Sequence, residues 1–284
     1  MSRLFAFSLN EAHLLAHAIY PYRHLMVIPD VESPYGWGIG YHQNSEVLLR
    51  RRPNQIGRLD FYRKLHDVKA QTVIGHVRKH TVGRTAPENT HPFRYRQWVF
   101  AHHGTIERFE TVKPWLTNSI PNFLRRNMRG DTDSEHLFFL FLAFLYDDGL
   151  IDASDLTAEA TGHALKNTLH MVRRLVNEAG GSPSGLNVAV TNGRIVVTSI
   201  LDRPAYVAHI DGIEDCALCR KQEGWRGDEA PPKPHPHLKG VLTFCDPPSG
   251  SLEGLQRLKE NTIFGVEQDY STVSIDLGLL STDN

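Results

Sequence analysis

The chain opens on an apolar, strand-like run, Arg3 to Leu9 (RLFAFSL). Chain ends fray unless something ties them down, so a core strand this close to the start predicts a fixed terminus. Asn10 to Ile19 has the spacing of a short helix, and Pro21, Pro29 and Pro34 break the stretch after it. Gly36 to His42 and Glu46 to Arg51, separated by Gln43-Asn44-Ser45, predict a hairpin. Leu59, Tyr62 and Leu65 give Arg58 to Val68 a helical period. Thr72 to Val77 and Gln97 to His102 read as buried strands bracketing a polar loop, Arg78 to Arg96.

The middle of the chain turns helical. Asp133 is placed to N-cap a helix through Leu137 to Tyr146 (LFFLFLAFLY) that stops near Gly149. Thr157 to Ala179 predicts a second long helix with Leu165, Leu169, Val172 and Val176 on one face. Strands return at Leu186 to Val190, Arg194 to Leu201 and Tyr206 to Ile210, the first two joined by Asn192-Gly193, a type I′ signal. Residues 212–238 are polar and rich in proline and charge, and are expected to be a loop insertion. Gly240 to Cys245, Thr262 to Glu267 and Thr272 to Leu277 complete the strands. Strands, then helices, then strands predict an α+β chain, with antiparallel sheets packed on helix layers, rather than a parallel βαβ sheet. One domain over 1–284 is expected.

Composition narrows the partners. The 31 Lys and Arg balance 32 Asp and Glu, so no global basic field steers the chain to nucleic acid or anionic lipid. Arg50-Arg51-Arg52 and Arg125-Arg126 are short runs that read as solvated faces. The longest apolar run is about half of the ~20 residues a membrane span needs. No charged-then-apolar signal segment opens the chain, and three cysteines are too few for a disulfide framework, so a cytoplasmic protein is expected. The 16 histidines are the compositional surplus.

Four segments carry the chemistry: Gly75-His76-Val77-Arg78, Glu88 to Phe93 (ENTHPF), Ala101 to Ile106 (AHHGTI) and Gly130 to Glu135 (GDTDSE). With Gly36-Trp37-Gly38-Ile39 and the strand from residue 3, their order resembles the class II glutamine amidotransferases, N-terminal-nucleophile hydrolases. The resemblance covers roughly residues 1 to 200. It implies an αββα sandwich of two mainly antiparallel sheets between helix layers, and a nucleophile at residue 2 once Met1 is removed.

Chemically, a first-residue nucleophile carries its own base, an α-amine with a pKa near ~7.7–8.0, and needs no catalytic histidine. The family's usual residue there is cysteine; here it is Ser2, a weaker nucleophile. The site is therefore either a slower or altered amidohydrolase or a silent relative that keeps only the binding groups. The resemblance assigns Arg78 to the α-carboxylate of glutamine and Asp133 to its α-ammonium, and makes His103 and Gly104 the oxyanion-hole pair, His103 standing where the family has asparagine. By themselves, Arg78 could equally pair with Glu88, and Asp133 could be only a helix cap. Gly36, Trp37 and Gly38 read as structural, and Asn89, His91 and Pro92 as shaping the loop after Arg78. The remaining histidines are expected to be solvated or locally bonded.

The ligand implied is glutamine or a γ-glutamyl compound. No cofactor is expected. No phosphate-cradling loop is present, so a synthase acceptor site would lie on a partner protein. Cys216-x-x-Cys219, His235-x-His237 and Cys245 have an irregular spacing for zinc, and no metal is expected.

Overall fold

The computed structural model describes residues 3–78, 84–222, 232–248 and 252–278. Alternation along the Arg3–Leu9 strand sets its architecture, because successive side chains of a strand enter opposite layers. Leu4 and Ala6 join one hydrophobic cluster, Phe5, Phe7 and Leu9 another.

Two large sheets result among the described residues, and every strand pair in them is antiparallel. The first runs Gln256–Arg257, Ala205–Ile213, His235–Cys245, Arg3–Leu9, Thr72–Arg78, Tyr35–Gln43, Glu46–Gln55. The second runs Thr272–Asp276, Thr262–Val266, Val196–Ile200, Gly185–Thr191, Trp98–Thr105, Phe93–Tyr95. Their facing sides share a core in which Leu4, Ala6 and Ile74 meet Val99, Ala101 and Ala189.

Helices cover both outer faces. Trp98, Phe100 and Val188 pack with the Phe109–Asn118, Asp133–Asp147 and Ala158–Glu178 helices. On the other side Phe5 and Phe7 meet the short Leu15–Ile19 and Phe61–Leu65 helices, with Phe5 edge-on to Phe61 at 5.1 Å between centroids. The arrangement is the expected α+β one of two sheets between helix layers, with one layer thick and the other thin.

Several boundaries differ for identifiable reasons. The Asp133–Asp147 helix is capped by Thr132, whose Oγ1 accepts the Glu135 N–H at 3.2 Å, not by Asp133, whose carboxylate is engaged elsewhere. The segment around Arg58 to Val68 keeps only the Phe61–Leu65 helix. Before it, Leu59–Asp60 pairs as a strand with Val27–Ile28, and Asp60 accepts the Arg63 N–H at 3.2 Å. The turn at 44–45 has both residues left-handed (φ 50 and 66), as a two-residue type I′ turn requires. Asn192-Gly193 does not make such a turn, because Thr191 pairs with Val196 and leaves four residues between. Asn192 Oδ1 there accepts the N–H groups of Arg194 (3.0 Å) and Ile195 (3.2 Å). The expected loop at 212–238 contains the Ala217–Gln222 helix and the start of the His235–Cys245 strand, and its residues 223–231 lie outside the described residues. Among the described residues no helix is long and apolar enough to cross a membrane.

Candidate active site

Antiparallel register brings several strand ends to one end of the space between the sheets. In the first sheet Arg3 pairs with Val77, Leu4 with Cys245 and Gly36 with Arg78. In the second, Gly104 pairs with Leu186 and Thr105 with Gly185. Ile74 faces the inter-sheet core, so His76 and Arg78, two and four residues on, share its face; Val99 and Ala101 place His103 likewise. Accordingly, the His76 ring lies 6.1 Å from His103 and 4.3 Å from His91, centroid to centroid.

His103 is buried, and burial pushes its pKa down to about 3, with the charges of His102 and Arg203 adding to the shift. It is therefore neutral at physiological pH and offers one ring N–H. Its Nε2 lies 4.0 Å from Asp246 Oδ2, and Arg3 Nη1 lies 3.7 Å from the same oxygen. Asn187, opposite His103, supports the adjoining turn. Its Oδ1 accepts the N–H groups of Leu201 (3.3 Å), Asp202 (2.9 Å) and Arg203 (3.0 Å), and its Nδ2 donates to the Arg203 carbonyl at 2.9 Å. Gly104 has a steric reason of its own: a Cβ there would lie 1.8 Å from the Gly185 carbonyl oxygen.

Asp133 is buried at the first position of its helix. Its Oδ2 accepts the Ile106 N–H and its Oδ1 the Ser134 N–H, both at 2.8 Å, so the carboxylate joins the end of the Trp98–Thr105 strand to the helix start. Next to it, His102 Nε2 lies 2.9 Å from the Gly185 carbonyl, which can only accept, so Nε2 carries the proton. Nδ1 then accepts from the Ser134 hydroxyl at 2.9 Å. Arg78 is buried, which lowers its pKa, while the charges of Asp133 and Asp131 raise it. The charges of Asp133 and Asp131 act on Arg78, and that of Glu88 acts on Arg51.

Hydrogen bonds tie the loops around these groups together. Asn89 Nδ2 donates to Asp131 Oδ1 at 2.7 Å, and Asn89 Oδ1 accepts the Asp131 N–H at 3.1 Å. Glu135 accepts the N–H groups of Arg129 (2.9 Å) and Gly130 (2.7 Å). A Cβ on Gly38 would stand 2.2 Å from the His91 carbonyl oxygen, so the glycine lets the loop after Arg78 cross its strand. Trp37 packs on the outer core against Phe61, ring to ring at 5.7 Å.

Of the residues singled out in the sequence, Arg78, Asp133, His103 and Gly104 come to one end of the fold, and Ser2 lies outside the described residues. His76 departs from the expectation of solvated or locally bonded histidines, and His91, expected to shape the loop after Arg78, lies against it. Both are buried, with neither ring nitrogen hydrogen-bonded among the described residues, and burial first, then neighbouring charge, lowers their pKa values well below the ordinary range. The period-two pattern from Ile74 to Arg78 carried the signal for His76. The cysteine-rich set divides. Cys216, Cys219 and His235 converge with His17, whereas His237 is exposed and Cys245 lies in the inter-sheet core, its thiol pushed up to about 12 by burial.

The sequence family of class II glutamine amidotransferases matches residues 1–213. The chain belongs to that family. Among curated relatives, the probable glutamine amidotransferase DUG3 of Saccharomyces cerevisiae is 37% identical over 140 residues, 46% of this chain and 39% of that protein. Glutamine–fructose-6-phosphate aminotransferase of Aquifex aeolicus is 29% identical over 151 residues, 51% of this chain and 24% of the enzyme. The chain thus spans less than half the length of either relative. A glutamine aminotransferase class-II domain protein of Silicibacter pomeroyi superposes with a TM-score of 0.58 at 17% identity, covering 98% of this chain and all of that one. That likeness shows the fold, the N-terminal-nucleophile hydrolase sandwich of this amidotransferase family.

Proposed function

We propose that this amidotransferase-like chain hydrolyses the side-chain amide of glutamine or of a γ-glutamyl compound through an N-terminal nucleophile. The observation that carries the reading is the meeting of buried Arg78 and Asp133 at the strand ends that also hold neutral His103 and Gly104. A buried cation and a buried anion in one place complement an amino acid's carboxylate and ammonium, and their pairing selects an amino-acid end over a plain amide. Asp133 spends lone pairs on two backbone N–H groups, and a carboxylate has about four acceptor sites, so room remains for an ammonium.

In this reading Ser2 Oγ attacks the amide carbonyl while the α-amine takes its proton. The oxyanion is met by the Gly104 N–H and by the single N–H of neutral His103. The amine returns the proton to the leaving nitrogen, ammonia departs, and water cleaves the γ-glutamyl ester to release the acid and restore Ser2. Delivery of ammonia to an acceptor on a synthase partner is compatible with this chemistry, as is release to solvent. A second reading, a silent subunit that keeps the clamp and binds without turnover, is favoured by a hydroxyl at residue 2 and a histidine at 103.

Intact mass first establishes that Met1 is absent, because a retained methionine removes the amine base. On that protein, Ser2→Ala is expected to abolish ammonia release from glutamine or γ-glutamyl substrates. Ser2→Cys is expected to raise it, since a thiol is a few per cent thiolate at neutral pH. A silent Ser2→Cys, His103→Asn double variant that still binds glutamine would replace the hydrolase reading with the binding one.

A further inference from the structure

We propose that His17, Cys216, Cys219 and His235 form a structural zinc site. The four come from three places: the Leu15–Ile19 helix, the start of the Ala217–Gln222 helix and the first residue of the His235–Cys245 strand. Their ligand atoms all lie within 4.8 Å of one another. His17 Nδ1 is 3.3 Å from both Cys216 Sγ and Cys219 Sγ, and Cys219 Sγ is 3.4 Å from His235 Nε2.

Those separations fit a tetrahedral ion. Zn–S of about 2.3 Å and Zn–N of about 2.0–2.1 Å at tetrahedral angles put sulfur and nitrogen roughly 3.6 Å apart. Hydrogen bonding accounts for the cluster less well. A ring Nδ1 has one lone pair or one N–H, yet His17 Nδ1 meets two sulfurs at equal distance, and Cys219 Sγ in turn meets two ring nitrogens. Two thiolates and two imidazoles are a donor set suited to zinc, and four protein ligands leave no open position for catalysis.

The site also has a structural task. It sits on the thin helix layer, where the local core among the described residues holds three buried residues, Ala16, Cys216 and Leu218. So small a cluster buries little apolar surface, and metal ligation replaces it. His235 is at the opposite end of its strand from Cys245, ten residues and roughly 33 Å of extended chain from the strand end that pairs with Leu4. The ion would therefore anchor the segment after Ile213 without touching the chemistry.

The experiment uses the full chain, tag removed, reconstituted with zinc under reducing conditions and gel-filtered. About one zinc per chain is expected, with a lower melting temperature after chelation. Cobalt substitution is expected to give the intense visible absorption of a tetrahedral thiolate site. His17→Ala and Cys219→Ser should each lose the metal, and His237→Ala should keep it. Zinc below about a tenth of an equivalent would overturn the proposal, whether thiol titration then finds three free thiols or a Cys216–Cys219 disulfide. Full occupancy in both ligand variants would overturn it too, by placing the metal elsewhere. Should those variants not fold, the cobalt spectrum of the parent protein decides, and an octahedral one refutes the site.

Discussion

Mild acid should destabilise this protein steeply through the imidazoles buried between its sheets. Burial holds His103 near a pKa of about 3 in the folded state, against an ordinary value of 6.5. A base whose pKa is lowered by folding stays unprotonated in the native state while the unfolded chain takes up the proton. Stability is therefore intact above the unfolded pKa and is lost as pH falls through it. Between about pH 7.5 and pH 5.5 the unfolded state gains RT ln(11/1.1), about 1.4 kcal/mol, from this one group. His76 and His91, lowered well below the ordinary range, shift in the same sense, and linkage caps each at the same ~1.4 kcal/mol over that interval. Their combined ceiling, about 4 kcal/mol, is a large part of the ~5–15 kcal/mol a domain possesses. Glu135, pushed up by burial, works in the opposite sense, so the comparison must isolate the imidazole. Urea unfolding at both pH values and fixed ionic strength, on the parent and on His103→Asn, does so. The parent's pH-dependent loss is expected to exceed the variant's by about 1.4 kcal/mol. An equal loss in the two proteins would mean that His103 is not held neutral by its surroundings.

Two further outcomes test the site. Arg78→Ala and Asp133→Ala are each expected to abolish calorimetric binding of glutamine. The second should also cost about 1–3 kcal/mol of stability, because it strands the Ile106 and Ser134 N–H groups; unchanged affinity in both variants would refute the clamp. Gly104→Ala forces a methyl to 1.8 Å from the Gly185 carbonyl, so thermal melting should show a loss of at least ~1–3 kcal/mol, and an unchanged melting temperature would contradict the strand spacing.

The parts of the fold legible in the sequence were those written as local patterns. Leu137 to Tyr146 is apolar all round and became a helix buried on nearly all sides; Leu165, Leu169, Val172 and Val176 mark the inward stripe of the next. Caps and turns were less legible, since they depend on tertiary competition. Asp133 has the sequence of a cap, but its carboxylate binds the Ile106 N–H, which leaves the capping to neighbouring Thr132. Spacing rules also failed for His17, nearly two hundred residues before Cys216, because only the packed helix layer brings them together. Arg78 and Asp133 were found through motif order, whereas Asn187 and Asp246 left no mark in sequence because their roles arise from which strand ends adjoin.

The His235–Cys245 strand lies wholly beyond residue 213, where the family match stops, yet it sits near the middle of the first sheet. It supplies six consecutive partners to the Arg3–Leu9 strand, from Leu4 opposite Cys245 to Leu9 opposite Gly240. The stretch that the family pattern matches is thus shorter than the unit of folding. A chain cut at the edge of the matched stretch would turn its first strand into a bare edge, and an apolar edge with open N–H and C=O groups is a template for aggregation. During synthesis the same pairing makes the first sheet a late closure: its opening strand waits for residues more than two hundred positions away, while four of the second sheet's six strands and the three helices over it are complete by residue 200.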